Sequence, residues 1–293
     1  MFYRRKVLLG LLESLRRAVP RTDMQKLLFL ISQEQDSASY DFVPYRFGCF
    51  SFQAEADKRT LTKYKIVRDT ESWDLGKSSG YLEMLKLGDQ QAISKVLRKT
   101  RRLTGKNLVR FIYENYPYYA INSEIAGDVL SAERLESVEK ARPVGNSPCL
   151  FTIGYEGRSL ERYLNVLIAQ NVRVLCDVRR NPVSMKFGFS KRQLATAING
   201  LGMTYFHMPE LGIESNKRRA LKSAKDYKEL FDEYDQQTLA ENESSLDAIR
   251  KLVRRHRRVA LTCFEADHDF CHRGRIAQVL ANQVGWRHKI AHL

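Results

Sequence analysis

The stretch from Leu150 to Asn181, LFTIGYEGRSLERYLNVLIAQNVRVLCDVRRN, decides the fold. LFTIGY is a short apolar run that ends in glycine and polar residues, which reads as a buried strand. SLERYLNVLIAQN then spaces its apolar residues at helical intervals, and VRVLCDVR returns to the β-rich pattern. Strands alternating with helices in this way imply a parallel sheet with crossover helices. The alternation continues downstream. KRQLATAINGLG (191–202) reads as a helix and MTYFHMPEL (203–211) as a strand. DYKELFDEYDQQTL (226–239) and SSLDAIRKLVRRHR (244–257) read as helices, RVALTCFE (258–265) as a strand and CHRGRIAQVLANQVG (271–285) as a helix. The fold class expected for residues 149–293 is therefore α/β, a parallel sheet with crossover helices. All its strand carboxyl ends fall on one edge, where such domains bind ligands.

Upstream the pattern differs. Val7, Leu8, Leu11, Leu12 and Leu15 form one helical face, stopped by Pro20, and MQKLLFLISQEQ (24–35) is a second helix. The aromatic YDFVPYRFGCFSF (40–52) reads as an extended connection, SFQAEADKRTLTKY (51–64) as a helix, and KIVRDTESWDL (65–75) as a strand or hairpin. Residues 1–142 are thus expected to form a mostly helical, winged-helix-like domain. The cluster Pro143, Gly145, Asn146, Ser147 and Pro148 is the linker candidate. The run Lys26-Leu27-Leu28-Phe29-Leu30, with Phe42 to Gly48, Ser51-Phe52 and Tyr116 to Glu124, resembles the small domain of SocA-like antitoxin and phage-associated proteins. That resemblance implies binding of DNA or of a protein partner, or homodimer formation, and genome defence as a setting.

The chain of 293 residues carries a formal charge of +15, which is spread over both halves and is no terminal tail. Such a surface points to a polyanionic partner, nucleic acid and DNA foremost, since each cation that displaces a condensed counterion adds affinity. The opening MFYRRKVLLGLLESL is interrupted by Glu13 and Arg16 and reads as an amphipathic helix and not a signal peptide. No apolar run reaches membrane-spanning length. The five cysteines include no CxxC pair, so a cytoplasmic location is expected.

Functional residue types gather where the expected strands end. Tyr155-Glu156-Gly157 follows the first, Asp177-Val178-Arg179-Arg180-Asn181 the second, His207 to Gly212 the third, and Cys263-Phe264-Glu265 the fourth, with Cys271-His272-Arg273 opening a helix. Asp177 is read either as a general base or as the partner of a neighbouring arginine. Glu156 is a second carboxylate candidate beside Gly157, a position read as a close backbone approach. Glu265, near Asp267 and Asp269, suits a general acid or a helix-capping carboxylate. Arg179, Arg180, Asn181, Glu210, His272 and Arg273 are expected to bind substrate, the last two as phosphate ligands at a helix start. Tyr155 and Phe189 are expected to stack an extruded base. Lys217, Arg218 and Arg219 are candidates for the nucleic-acid backbone, whereas Arg254 to Arg258 complement a helix terminus. A thiol-phosphatase or rhodanese site built on Cys263 and Arg273 is disfavoured by the long acidic FEADHDFCH between them. Zinc at Cys263, His268, Cys271 and His272 is disfavoured by spacing, because neighbours Cys271 and His272 are expected to point apart. No metal and no cofactor is expected, except Mg²⁺ under a nuclease reading.

The motifs Ile153 to Gly157, Asp177-Val178-Arg179 with Asn181-Pro182, Phe189-Ser190, Pro209 to Gly212, and Cys263 to Arg273 resemble the Domain of Unknown Function 488 family, over about residues 150–280. The resemblance implies an α/β domain with a role in nucleic-acid metabolism. Together these readings give a DNA-acting hydrolase, metal-independent cleavage of the base–sugar bond being preferred. Its alternatives are a metal-dependent nuclease and a non-enzymatic DNA-binding regulator that senses a nucleotide.

Overall fold

The structure is a computed structural model that describes residues 1–68, 70–214, 217 and 223–293. The chain divides into two compact units, Met1–Arg142 and Pro143–Leu293.

The first unit is mostly helical. α1 (Tyr3–Leu15) and α2 (Arg21–Glu34) are followed by a hairpin of β1 (Val43–Tyr45) and β2 (Gly48–Phe50), then α3 (Phe52–Lys63), α4 (Leu87–Lys99), α5 (Gly105–Asn115), α6 (Ala126–Val129) and α7 (Ala132–Lys140). The aromatic segment expected to be a simple connection is this hairpin. Arg46 and Phe47 make its turn, and Gly48 follows at φ +92°, a conformation that disfavours a side chain. After α3, where a strand or hairpin was expected, isolated bridges join Val67 to Leu75 and Trp73 to Val19. The regular two-stranded element therefore precedes the third helix. Three charged groups are buried in this unit with hydrogen-bond partners, among them Asp23, which accepts the Gly105 amide at 3.0 Å. Asp57 receives Arg4 and Arg5 at 2.6 and 2.7 Å, and Lys26 donates to the carbonyls of Phe47 and Cys49.

The second unit is the expected α/β domain. β3 (Cys149–Gly154), α8 (Leu160–Ala169), β4 (Val174–Asp177), α9 (Lys191–Gly200), β5 (Thr204–His207), α10 (Ala224–Glu233), α11 (Glu243–His256), β6 (Arg258–Cys263), α12 (His272–Asn282) and β7 (Lys289–His292) follow in order. All pairings in the sheet are parallel, in the order β5-β4-β6-β3-β7. β7 had no reading in the sequence: KIAH is four residues long and half polar, too short for periodicity to register. Between α10 and α11 the helix widens into a π-helical turn, Tyr234–Leu239.

Alternation along the strands sorts the core into two faces. Leu150, Val174, Cys176, Val259 and Leu261 pack with Leu246, Ile249 and Val253 of α11 and Ile276, Ala277 and Leu280 of α12. Thr262 points to the other face, where its Oγ1 accepts the Tyr163 hydroxyl of α8 at 2.8 Å. Ser159 starts α8 by accepting the Arg162 amide at 3.1 Å, which explains why the helix begins there.

All five cysteines are buried and reduced. Burial raises the Cys49 pKa to about 11, against the opposing pull of Lys26. Burial and the Asp177 charge raise that of Cys176 to about 12. Neither is a thiolate near neutral pH, and the thiolate is the reactive form. A thiol reagent at neutral pH should thus leave Cys49 and Cys176 unlabelled in the native chain and label both in denaturant. Rapid native labelling of either, read by peptide mass, would contradict the packing.

Candidate functional site

Register places the strand ends side by side. Gly154 pairs with Cys263, and Asp177 pairs with both Thr262 and His207. The expected edge therefore exists, but its side chains fall into three groups with different surroundings.

The first group is sealed. Asp177 is fully buried and its carboxylate accepts four hydrogen bonds. These come from Arg179 Nε at 2.8 Å, Arg179 Nη2 at 2.6 Å, the Arg179 amide at 3.2 Å and the Tyr205 hydroxyl at 2.6 Å. The remaining Arg179 nitrogen donates to Tyr155 Oη at 2.9 Å and to the Phe189 carbonyl at 2.8 Å. Burial by itself would lower the Arg179 pKa, but the bonds and charge of Asp177 outweigh it and the pKa is raised. Tyr205 is held protonated in the same way, by burial and the Asp177 charge. Of the two readings of Asp177, the geometry matches the arginine partner, because no lone pair faces solvent for proton abstraction. The expectation that Tyr155 and Phe189 stack a base is corrected. They stack on each other, with centroids 4.2 Å apart and planes 9° apart, and both are buried.

The second group lies under the loop from Phe264 to Cys271. Arg273 is buried and donates to the carbonyls of Glu265 at 2.6 Å and Ala266 at 2.9 Å, so it holds that loop and does not reach outward for phosphate. His272, equally buried, places Nε2 at 2.8 Å from the Val178 carbonyl. Cys263, Cys271 and His272 offer ligand atoms within 4.8 Å of one another, so Cys271 and His272 converge where the sequence suggested divergence. Glu265 accepts from the Cys271 thiol at 2.9 Å. Glu156 is exposed and caps the Ala266 amide at 2.9 Å.

Glycines let these loops press together. A Cβ on Gly154 would sit 1.8 Å from the Glu265 carbonyl oxygen, and one on Gly212 would sit 2.1 Å from the Arg180 nitrogen. Gly157, where a close approach was expected, has open space around it and instead adopts φ +72°.

The third group faces solvent. A cleft of about 300 Å³ opens beside the ends of β4 and β5, against the π-helical turn. Arg180, Glu210, Glu214, Lys217, Glu233, Tyr234, Thr238, Glu241 and Asn242 line it. Ser245, in the first turn of α11, donates to Glu210 Oε1 at 2.8 Å and orients that carboxylate. Lys217 pairs with Glu233 at 2.6 Å. Arg218 and Arg219 lie outside the described residues. Asn181 is exposed beside Arg180. The sequence reading missed Glu214, Glu233 and Glu241, which sit in loop and helix positions with no strand-end signature. The wide turn that brings Tyr234 and Thr238 to the cleft leaves no pattern of its own, although such turns recur at functional sites.

The second unit is thus a three-layer α/β domain with a solvent cleft rich in carboxylates at the carboxyl edge of its sheet. Residues 159–280 match the family model described as Domain of unknown function DUF488. The match takes in α8 to α12 and leaves out β3, where the sequence resemblance began. No curated protein and no solved structure matches the chain. Among the described residues, no helix is long and apolar enough to cross a membrane.

Proposed function

We propose that the protein is a hydrolase that acts on nucleic acid, with DNA as the favoured substrate, and that it cleaves the bond between an extruded base and its sugar. One observation carries this reading: the oriented carboxylate of Glu210 in the cleft, beside Arg180 and Lys217. A cavity of this size suits one nucleoside and not a duplex, so a target base has to leave the stack to enter it. A carboxylate there can stabilise an oxocarbenium-like centre or activate water. The charge of +15 supports the polyanionic partner. The phage-associated resemblance of the first unit favours genome defence in the cytoplasm as the setting, with that unit binding DNA or a protein.

The four glutamates of the cleft also favour a second reading, Mg²⁺-dependent phosphodiester cleavage, since clustered carboxylates hold hard cations. Labelled duplex and single-stranded DNA, with natural and modified bases, should separate the two. Alkali-labile abasic sites formed by dialysed protein support base removal, whereas direct breaks that appear only after Mg²⁺ is added support the nuclease. Glu210→Gln should lower turnover by roughly 10²- to 10⁴-fold while DNA binding persists. Tight binding of a nucleotide without any product would replace both readings with a sensor.

A further inference from the structure

We infer that Cys263, Cys271 and His272 form a binding site for Zn²⁺, with Glu265, hydrogen-bonded to Cys271, moving in to complete the coordination. The site is separate from the cleft and does not depend on the function proposed for it. Three observations converge. First, the donor set is right: two thiols, an imidazole nitrogen and a carboxylate are the ligands that zinc takes in four-coordinate sites. Second, the distances among the two sulfurs and the imidazole nitrogen fit. Zn–S of about 2.3 Å and Zn–N of about 2.0 Å in a tetrahedron require sulfur and nitrogen to lie about 3.5 Å apart. His272 Nδ1 lies 3.6 Å from Cys263 Sγ and 3.8 Å from Cys271 Sγ. Third, the imidazole is already oriented. Its Nε2–H donates to the Val178 carbonyl at 2.8 Å, which leaves Nδ1 with its lone pair towards the thiols. A backbone carbonyl behind a ligating histidine is the usual outer partner that fixes tautomer and ring angle.

On binding, the two thiols each release a proton to solvent and form Zn–S bonds. Glu265 enters as a carboxylate and His272 as neutral imidazole. The thiol proton that Cys271 now shares with Glu265 Oε2 is replaced by the metal, and the 2.9 Å contact opens by roughly half an ångström to tetrahedral spacing. The site then carries a net charge of −1, and the buried Arg273 guanidinium, bonded to the Glu265 carbonyl, supplies the nearest balancing cation. With Cys263, Cys271 and His272 all buried, the metal would be structural. It would tie the end of β6 to the first turn of α12 and, through His272, to the loop after β4. Hard cations such as Mg²⁺ are excluded by the two sulfurs.

The test uses the full chain. Protein stripped of metal under reducing conditions should take up one equivalent of Zn²⁺ and release protons. Co²⁺ in its place should give a thiolate-to-cobalt charge-transfer band and the intense visible bands of a tetrahedral site. Cys263→Ser, Cys271→Ser and His272→Gln should each weaken uptake by tenfold or more, while Cys149→Ser should leave it unchanged. Uptake and the cobalt spectrum of the unmutated chain decide the question even if a variant fails to fold. A chain that binds neither metal while its thiols are reduced, or that only forms a Cys263–Cys271 disulfide, overturns the proposal.

Discussion

Asp177→Ala should destabilise the second unit by about 3–5 kcal/mol, because it strands the Arg179 guanidinium in the interior without its anion. Arg179 has no route to water to recover the lost bonds: its side chain is 6% exposed and wedged beside Tyr155 and Phe189. Tyr205 loses its acceptor in the same stroke. Asp177→Asn keeps one carbonyl acceptor and the side-chain shape, so it should fall between wild type and the alanine variant. Urea unfolding of the full chain, followed by a probe in the second unit, reads the order. A variant as stable as wild type but devoid of activity would restore Asp177 as a catalytic base and rule out the buried ion pair as its role.

Gly154→Ala should be nearly as damaging, at about 3 kcal/mol, because the added methyl meets a backbone oxygen and not a flexible side chain. β3 and the loop after β6 would have to separate, carrying Glu265 and the carbonyls that Arg273 grips. Gly157→Ala, three residues on, meets no atom and strains only its positive φ, at about 1 kcal/mol. The two melting curves should therefore differ clearly. Equal shifts would mean that the loop yields freely and that the close approach has no structural weight.

The parallel sheet was legible because its interior strands are short, mostly apolar runs of four to six residues, with Arg258 at the start of β6 and Asp177 at the end of β4 outside the apolar stretch. β7 was not, since an edge strand with Lys289 and His292 needs little hydrophobicity to pair on one side. The hairpin of the first unit was missed for a different reason: aromatics and Pro44 obscure a turn whose conformation rests on Gly48. At the edge of the sheet, the strand ends could be listed from sequence, but the direction of each side chain could not. Asp177 and Arg180 are three residues apart, yet one closes an internal ion pair and the other lines the cleft. Spacing also misled about Cys271 and His272. One stands before the helix at φ −137° and the other inside it, and that change of backbone turns both towards Cys263.

The strand order has a consequence for how the chain matures on the ribosome. β3 leads the domain, but both of its neighbours, β6 (Arg258–Cys263) and β7 (Lys289–His292), lie far downstream, and Cys149 finds Arg258 across more than a hundred intervening positions. The pairing of β4 with β5 can form early, while β3 must wait, apolar and unpartnered, until β6 and β7 have been synthesised. Nascent chains halted before residue 258 should consequently be the ones that chaperones hold.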